Sequence, residues 1–460
     1  MASLAQESAE LNAALMARTA GHANMLAEYF DPGGDALALI RAHRIPQALP
    51  DRLQVPPPLL PARARHQIGT QHAAFRAALT EIFERRMCGQ WERLADELHL
   101  SGATRRYLDQ SHRPRWSAIA RPDCALQGDA IMMVEPNGGS SCGGLPDMDM
   151  LGRVFEASPV IGDFLRDVGA AGPDIMRQVA DMLRSRLRRA GRSADGLVLV
   201  SDLREFVGDE VPGHIEIFAA ELRRHGIRAQ LGAAEDVECG TRSVTWQGQT
   251  VDLIYRFWAD QPDPDGQYPV LQPVLQAARS GLVILFDDLD DQIATTKAAL
   301  VILSEELEAG HLPPDLERTL SSFIPWSRFL ADGPATVDGE KVDLLSWCIA
   351  NQHRLVLKPC HGFAGRGVTI GRETTSTDWA QAVDGALAAD EAWLAQMLVD
   401  NDAESVGVIH GGTIVSEKTF TSYGYFIVGN DVPGIIRRSA PFGQPSRLVI
   451  HSAHGPVFFV

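Results

Sequence analysis

The sequence predicts an α+β chain that contains a parallel α/β unit and begins with a helical region. Apolar residues recur at helical spacing in residues 3–30 and 66–100, and a Pro-rich turn from Pro46 to Pro61 lies between them. In residues 191–290, continuous apolar runs alternate with helical segments, which is typical of a parallel sheet covered on both faces. A strand meander is predicted in residues 406–437.

These changes of pattern divide the chain into four regions. Residues 1–110 form the helical N-terminal region, and residues 111–190 contain a hairpin followed by a polar motif. Residues 191–290 form the parallel α/β unit, and residues 291–460 hold further helices, a Gly-rich run and the strand meander. At roughly 150 residues per domain, a chain of 460 residues is expected to contain about two to four domains.

Composition excludes several functional classes. The chain has 42 Lys and Arg against 59 Asp and Glu, a formal net charge of −17, so nucleic acid and anionic membranes are poor partners. The six cysteines are scattered without a CxxC pair, which argues against a zinc site and a disulfide framework. No apolar leader or membrane span is recognisable, so we expect a cytoplasmic protein.

A short hairpin delivers two oxygen-bearing side chains to the end of a strand. The segment from Cys124 to Val134 turns at Gly128 and Asp129, and its second strand leads to Glu135 and Asn137. Residues two apart on a strand face the same side, and carboxylate and amide oxygens suit a hard cation such as Mg²⁺. An ordinary surface turn is the alternative interpretation of this motif.

A Gly-rich run from Gly362 to Gly371 follows an apolar strand that ends in Lys358. Glycines allow backbone N–H groups to wrap an anion closely, and the lysine adds a point charge. The run fits neither the P-loop pattern nor the dinucleotide-binding pattern. A hairpin turn would use the same glycines, so this motif alone leaves both interpretations open.

These motifs belong to a longer ordered set. In chain order, the set comprises Arg121-Pro-Asp123, Glu135-Pro-Asn137-Gly-Gly-Ser140-Ser141, Tyr255-Arg256, Thr296-Lys297, Ile324-Pro-Trp326, Lys358-Pro with the glycines that follow, Gln396-Met397, and Arg437-Arg438. In this order the chain resembles the circularly permuted ATP-grasp ligases of the eukaryotic-type glutathione synthetase and glutathionylspermidine synthetase kind. The resemblance covers about residues 115 to 460.

The resemblance implies an ATP-grasp fold in which two α+β lobes clasp a nucleotide. Residues 111–190 would be the first ATP-grasp segment, residues 191–290 an inserted substrate-binding domain, and residues 291–460 the nucleotide-binding lobes with a mobile Gly-rich flap. A homodimer is common among such ligases and is therefore one oligomeric state expected for this chain.

The resemblance also implies roles for individual residues toward ATP and Mg²⁺. Glu135 and Asn137 match the Mg²⁺ ligands, and Lys358 matches a catalytic lysine on the ATP phosphates. For Met397, ordinary core packing is the alternative role. The implied nucleotide contacts are Lys297, Lys358, the flap residues Gly362, Phe363, Ala364, Gly365, Arg366 and Gly367, and the adenine-lining residues Gln396, Met397 and Leu398.

Three arginines match the residues that hold substrate carboxylates or the reacting acyl group in these ligases. They are Arg121, Arg256 and Arg437, and the resemblance makes Arg256 and Arg437 catalytic. A guanidinium fork fits a carboxylate or acyl phosphate through two parallel hydrogen bonds. Ser140 and Ser141 match positions that touch the acceptor substrate. Taken singly, each arginine also fits a surface ion pair.

Two family residues are missing. The further Mg²⁺-binding glutamate of glutathione synthetase would follow Lys358, but His361 and Gly362 stand there. Either waters and phosphates complete the metal shell, as Mg²⁺ tolerates, or another acid does. The acids considered are Asp123, Glu373 and Glu417. The family's late lysine is also missing, and Arg438 is a candidate to replace its charge.

The reaction implied is ATP-dependent ligation of a small carboxylate to an amine through an acyl phosphate, with release of ADP and phosphate. Amino acids or peptide-like molecules are the expected substrates. Two alternatives stay open at this stage: phosphoryl transfer to a small molecule, and nucleotide binding without turnover.

Overall fold

The structure is a computed structural model of the chain. It describes residues 3–31, 33–36, 38, 53–108, 114, 116–207, 214–258, 263, 265–288, 296–362, 365–399, 404–410, 413–441 and 453–460. No helix in these ranges is both long and apolar enough to cross a membrane.

The helices of the described chain lie between residues 4 and 387. They are α1 (Leu4–Ala20), α2 (Ala23–Phe30), α3 (Ala62–Arg85), α4 (Trp91–Glu97), α5 (Gly102–Tyr107), α6 (Leu145–Ala157), α7 (Ile161–Asp167), α8 (Ile175–Arg189), α9 (His214–Arg224), α10 (Leu271–Arg279), α11 (Ala298–Glu308), α12 (Pro314–Leu320), α13 (Leu344–Ala350) and α14 (Ser376–Leu387).

The strands concentrate in three larger sheets. They are β1 (Leu59–Leu60), β2 (Ile119–Ala120), β3 (Asp123–Gln127), β4 (Ala130–Glu135), β5 (Val198–Asp202), β6 (Ala229–Ala233), β7 (Val237–Cys239), β8 (Val244–Trp246), β9 (Gln249–Thr250), β10 (Leu253–Arg256), β11 (Ile284–Phe286), β12 (Ser327–Phe329), β13 (Pro334–Val337), β14 (Glu340–Asp343), β15 (Leu355–Pro359), β16 (Thr369–Ile370), β17 (Trp393–Met397), β18 (Glu404–His410), β19 (Thr413–Val428), β20 (Asp431–Pro441), β21 (Ala453–Pro456) and β22 (Phe458–Phe459).

The parallel sheet expected between residues 191 and 290 is present. Its order is β11-β10-β5-β6, and each neighbouring pair is parallel. Strands β5 and β10 are buried along their whole length, as their continuous apolar sequences predict. Because the strands are parallel, the polar residues at their carboxyl ends, such as Arg256, lie on the same side of the sheet, beyond its carboxyl ends.

The largest sheet has the order β21-β20-β19-β3-β4, with β2 and β18 also paired to β19. The hairpin predicted around Gly128 and Asp129 is the antiparallel pair β3–β4. A second antiparallel sheet has the order β12-β17-β15-β16. Lys358 lies on β15 of this smaller sheet, and Glu135 ends β4 of the larger one. The two sheets therefore each supply one of the predicted site motifs.

A segment near the N-terminus closes part of the large sheet into a ring. Leu53 bridges to His454 on β21, and Gln54 bridges to Val408 on β18. The backbone N–H of Val55 donates to the carbonyl of Gly407 at 2.8 Å. Because β18, β19, β20 and β21 already pair in sequence, this segment joins the two outer strands.

The hydrophobic core is continuous across the region boundaries drawn at residues 110 and 190. One core cluster combines residues 145–187 with the parallel sheet, as Val154 and Leu183 share it with Val200. Another combines the helical N-terminal region with β19 and β20, as Ile82 shares it with Tyr425. The N-terminal helices are therefore an integral layer of the fold.

Replacing Gly407 with alanine tests the ring closure, because a Cβ at Gly407 would collide with the backbone carbonyl of Val55. We expect the Gly407→Ala variant to lose at least about 2 kcal/mol of unfolding free energy. Gly385 in α14 is the matched control, since nothing lies within 4 Å of its Cβ position. Gly385→Ala should gain roughly 0.5–1 kcal/mol. Urea unfolding measures both, and equal effects would contradict the closure.

Candidate functional site

Lys358 links the two antiparallel sheets. Its Nζ donates to the backbone carbonyl of Val134 on β4 at 2.9 Å and to Oε1 of Gln396 on β17 at 2.7 Å. The side chain is buried, with 8% of its surface exposed. This bond fixes the end of β4, where Glu135 stands, against the smaller sheet.

Lys297 reaches the same place from the start of α11. Its Nζ lies 2.6 Å from Oε1 of Glu135 and donates to the carbonyl of Gly362 at 2.5 Å. Lys297 is only 5% exposed. The structure thus brings together both predicted phosphate lysines, one predicted metal ligand and the root of the Gly-rich run.

Asp123 adds a second carboxylate beside Glu135. The two residues are cross-strand partners on β3 and β4, and such pairs have Cβ atoms roughly 5 Å apart. Nδ2 of Asn137 donates to Oδ2 of Asp123 at 3.1 Å, and Nη2 of Arg438 lies 2.5 Å from the same oxygen. The other oxygen, Oδ1, is buried and accepts no hydrogen bond within the described structure. From the sequence, Asp123 was one of three acids that could complete the Mg²⁺ shell.

Gly424 on β19 lies directly beneath the side chains of Asp123 and Arg121. A Cβ at this position would lie 3.0 Å from Oδ1 of Asp123, 3.1 Å from Cδ of Arg121 and 2.8 Å from Cγ2 of Ile436. Contacts this short require the neighbouring atoms to move. Glycine is therefore what allows Asp123 and Arg121 to lie flat across the sheet.

The site carries more positive than negative charge. Four cations (Lys297, Lys358, Arg121 and Arg438) surround the two carboxylates of Asp123 and Glu135. Burial alone would raise the pKa of Asp123, but the guanidinium groups of Arg438 and Arg121 hold it below its ordinary value. Burial lowers the pKa of Lys358 to about 8. The surplus of two positive charges suits an anion.

Arg437 lies on the opposite face of the large sheet. Cross-strand partners share a face, and Arg437 pairs with Tyr423, whereas Asp123 pairs with the next residue, Gly424. Arg437 is 4% exposed and forms an ion pair with Glu404, which also accepts a hydrogen bond from Tyr423 at 3.1 Å. The structure separates Arg437 from the predicted substrate residues, and Arg438 occupies the face that Arg437 was expected to occupy.

Arg256 is buried at the carboxyl end of β10 in the parallel sheet. It is 3% exposed, and its guanidinium donates to the carbonyls of Asp287 and Trp258 at 3.0 and 2.6 Å. The hydroxyl of Ser140 donates to the Arg256 carbonyl, and the Ser140 N–H donates to the Asp287 carboxylate at 2.8 Å. These bonds anchor the loop after Asn137 to the parallel sheet. Asp287 carried no sequence motif, so only the fold reveals its role.

Ser141 and Arg121 lie toward the surface of this loop. Ser141 is exposed, unlike its buried neighbour Ser140. Arg121 donates to the carbonyl of Gly143 at 2.8 Å, and its Nε lies 3.7 Å from the Asp123 carboxylate. Arg121 therefore spans from the Glu-x-Asn loop to the buried acid.

The predicted adenine strand already uses two of its backbone donors. The N–H of Met397 donates to the Trp326 carbonyl at 2.9 Å, and the N–H of Leu398 donates to the Arg354 carbonyl at 2.8 Å. Met397 also packs against a hydrophobic cluster, as its alternative role predicted. A nucleotide base would have to bind through other groups of this strand.

The Gly-rich run is described only in part, since Phe363 and Ala364 lie outside the described residues. Gly365 and Gly367 have φ values of +68° and +75°, a conformation that favours glycine. Arg366 lies between them. The ring nitrogen Nε2 of His361 lies 2.9 Å from the Leu98 carbonyl, and burial lowers the pKa of His361. The root of the run is thereby attached to the N-terminal helical layer.

Comparison with known proteins supports the architecture. No protein-family model and no curated protein sequence matches this chain. A solved structure that does match is a glutathione synthetase-like effector from Globodera pallida in its apo form, with 12% identity and a TM-score of 0.52 over 89% of this chain and 90% of that chain. The chain has a glutathione synthetase-like fold. A second solved structure, from Methylobacillus flagellatus KT and named a putative γ-glutamylcysteine synthetase, is less similar, with 14% identity and a TM-score of 0.40 over 81% of this chain and 85% of that chain.

Removing Glu404 tests the placement of Arg437. Glu404→Ala would leave a buried guanidinium without its carboxylate, so we expect the unfolding free energy to fall by about 2–4 kcal/mol. Arg318→Ala removes one partner of a solvent-exposed ion pair, that with Asp315, and should change stability by less than about 0.5 kcal/mol. If Arg437 faced an open substrate pocket, the two variants would be equally stable in urea.

Proposed function

We propose that the protein is an ATP-dependent carboxylate–amine ligase of the circularly permuted ATP-grasp type, which forms an amide through an acyl phosphate. The observation that carries this proposal is the convergence of Lys297 and Lys358 on the end of β4, beside Glu135. These residues come from a helix and from two sheets of a glutathione synthetase-like fold. Their order along the chain is the order that the resemblance implies.

The two lysines are the groups that would bind the ATP phosphates. Both ammonium groups are buried, and a buried cation interacts more strongly with an anion than one in bulk water does. Lys297 also donates to the carbonyl of Gly362, so phosphate binding at Lys297 would change a hydrogen bond at the first residue of the Gly-rich flap. A local positive surplus in a chain of net charge −17 is consistent with a site selected for a polyanion.

The oxygen atoms near the lysines fit Mg²⁺. Glu135 and Asn137 were predicted ligands, and Asp123 supplies a buried oxygen that accepts no hydrogen bond in the described structure. In the proposed set the amide oxygen of Asn137 joins the two carboxylates, since the described residues contain no group of three His, Cys, Asp or Glu that could hold a metal. A bound Mg²⁺ would supply charge neutralisation on the phosphates.

The positions of the other two candidate acids favour Asp123. Glu417 is seven residues from Gly424 along β19, roughly 23 Å at 3.3 Å per residue, and faces the other side of the sheet. Glu373 is exposed and belongs to a turn whose Gly371 carbonyl accepts from Gln352 at 3.2 Å, near the beginning of β15 rather than its end. Asp123 is therefore the proposed replacement for the missing family glutamate.

Arg121 and Arg438 are the proposed substrate arginines. Both lie on the Asp123 face of the large sheet, and both retain partial exposure, with 18% and 22% of their side-chain surface accessible. A guanidinium can bind a substrate carboxylate and then the acyl phosphate formed from it through the same pair of N–H donors. We propose that Arg438 takes the role expected for Arg437, and that Arg256 orders the loop of Ser140 and Ser141.

The proposed chemistry needs no nucleophilic side chain. A substrate carboxylate oxygen attacks the γ-phosphorus of ATP, and ADP leaves. The amine then attacks the acyl carbon, and phosphate leaves with the electron pair of the acyl–oxygen bond while the amine loses a proton. Lys297, Lys358 and Arg438 would stabilise charge on the transferring phosphoryl group, and the flap would exclude water from the acyl phosphate.

The direct test is Mg²⁺-dependent release of ADP and phosphate by the purified protein with pooled amino acids, small carboxylic acids and amines. Mass spectrometry would identify the products. Amide products in equal amount to ADP are expected. A phosphorylated product would favour a phosphotransferase, and ATP binding without any release would favour a nucleotide-binding protein without turnover.

Replacing Lys358 separates ligand binding from stability. Lys358→Met should weaken Mg·ATP binding at least about tenfold, because a charged phosphate contact is lost. Its unfolding free energy at pH 7 should fall by no more than about 2 kcal/mol, because removing a buried ammonium offsets part of the cost of leaving the Val134 carbonyl and Gln396 Oε1 without a donor. The exposed Lys341→Met is the control for both measurements. Unfolding of Lys358→Met at much lower urea would make Lys358 a structural residue.

The pH dependence of Mg·ATP binding should follow the charge of the Lys358 ammonium. Because its pKa is lowered to about 8, the ammonium is fully charged below about pH 7 and is lost as the pH rises through 8. We expect Mg·ATP affinity to fall by up to roughly tenfold per pH unit above pH 8. Calorimetry across pH 6.5–9.5 measures this, and the same fall in Lys358→Met would assign it to another group.

A further inference from the structure

We propose that Gln396 is a positioning residue that aims the Lys358 ammonium at the nucleotide phosphates, and that its side chain is not a contact to the base. The inference rests on the proposed function, because it assumes that Lys358 binds phosphate. The resemblance places Gln396 among the adenine-lining residues, and the inference assigns its side chain a separate role.

Both ends of the Gln396 amide are already used inside the protein. Gln396 is 1% exposed, and its Oε1 accepts from Nζ of Lys358 at 2.7 Å. Its Nε2 donates to the hydroxyl oxygen of Ser327 at 3.2 Å. An amide with its oxygen on a lysine and its nitrogen on a serine presents neither group to a purine.

The hydroxyl of Ser327 fixes the orientation of this amide. Ser327 donates its only hydroxyl proton to the Pro325 carbonyl at 3.0 Å, so its oxygen is left as an acceptor. It must therefore face the amide nitrogen of Gln396, which turns Oε1 toward Lys358. Lys358 has donors and no acceptor, so the same orientation satisfies both neighbours.

The chain of hydrogen bonds continues to α11. The Ser327 N–H donates to the hydroxyl of Ser304 at 3.0 Å, and Nη1 of Arg328 donates to the same hydroxyl at 2.9 Å. Ser304 lies on α11, the helix that begins directly after Lys297. The support of Lys358 is thus anchored on the element that carries the other phosphate lysine.

This arrangement leaves Lys358 prepared for a ligand. An ammonium has three N–H donors, and within the described structure two of them are directed to Val134 and Gln396. Two fixed acceptors restrict the rotation of the ammonium and the position of Nζ. Binding energy is then not spent on ordering a flexible lysine when phosphate arrives.

A double-mutant cycle on the full-length chain tests the inference. Gln396→Met removes the acceptor while conserving length, and Lys358→Met removes the ammonium. Calorimetry with Mg·ATP is performed on the wild type, both single variants and the double variant. We expect Gln396→Met to weaken binding about tenfold when Lys358 is present and less than about twofold when Lys358 is methionine.

An equal loss in both backgrounds would overturn the inference, because Gln396 would then contact the nucleotide independently of Lys358. Ser327→Ala is a milder second variant that leaves Oε1 in place, and it should weaken binding about threefold only when Lys358 is present. Thermal unfolding of every variant excludes misfolding as the cause. Failure of the wild type to bind Mg·ATP would overturn the proposed function as well, whereas additive losses with intact wild-type binding would overturn this inference alone.

Discussion

The hydrogen bond from Lys358 to the Val134 carbonyl is the interaction on which the site depends. It joins the smaller antiparallel sheet to the end of β4 in the larger one, directly before Glu135. An ammonium buried between two sheets is costly unless its donors are satisfied, and Val134 and Gln396 satisfy two of them. Lys297 in turn pairs with Glu135, so one buried cation fixes the backbone before this residue and another fixes its carboxylate.

The alternation of side chains along β19 and β20 then assigns the arginines. Neighbouring residues on a strand face opposite sides, so Arg438 joins Asp123 while Arg437 joins Glu404 and Tyr423. On one face the charges have a positive surplus and partial exposure, which suits an incoming anion. On the other face a buried cation is neutralised by a carboxylate of the same fold, which suits stability. Arg438 is therefore placed to bind an anion, whereas Arg437 contributes to the stability of the sheet.

Local pattern was enough for much of this architecture. The β3–β4 hairpin, the parallel sheet and strand β15 follow from turn residues and apolar runs, because those features are encoded by neighbours in sequence. The choice between Arg437 and Arg438 was not accessible, since it depends on a register shift of one residue between distant strands. Two other contacts could not be predicted from local pattern: the hydrogen bond from the Gln54 amide to the Ala453 carbonyl on β21, and that from the Ser140 N–H to the Asp287 carboxylate. In each, the partners are more than a hundred residues apart. Helix α8 was not predicted, although its buried residues Ile175, Val179, Leu183 and Leu187 recur at helical spacing.

The central claim is that the cluster around Glu135 holds ATP through both its lysines and a metal. The most direct measurement is a calorimetric titration of the full-length protein with ATP in the presence of Mg²⁺ and again in excess EDTA, repeated for Glu135→Gln. The account predicts one site per chain for the wild type with Mg²⁺, and at least about tenfold weaker binding both in EDTA and in the variant. Binding that is equally strong with and without Mg²⁺, and equally strong in Glu135→Gln, would contradict it.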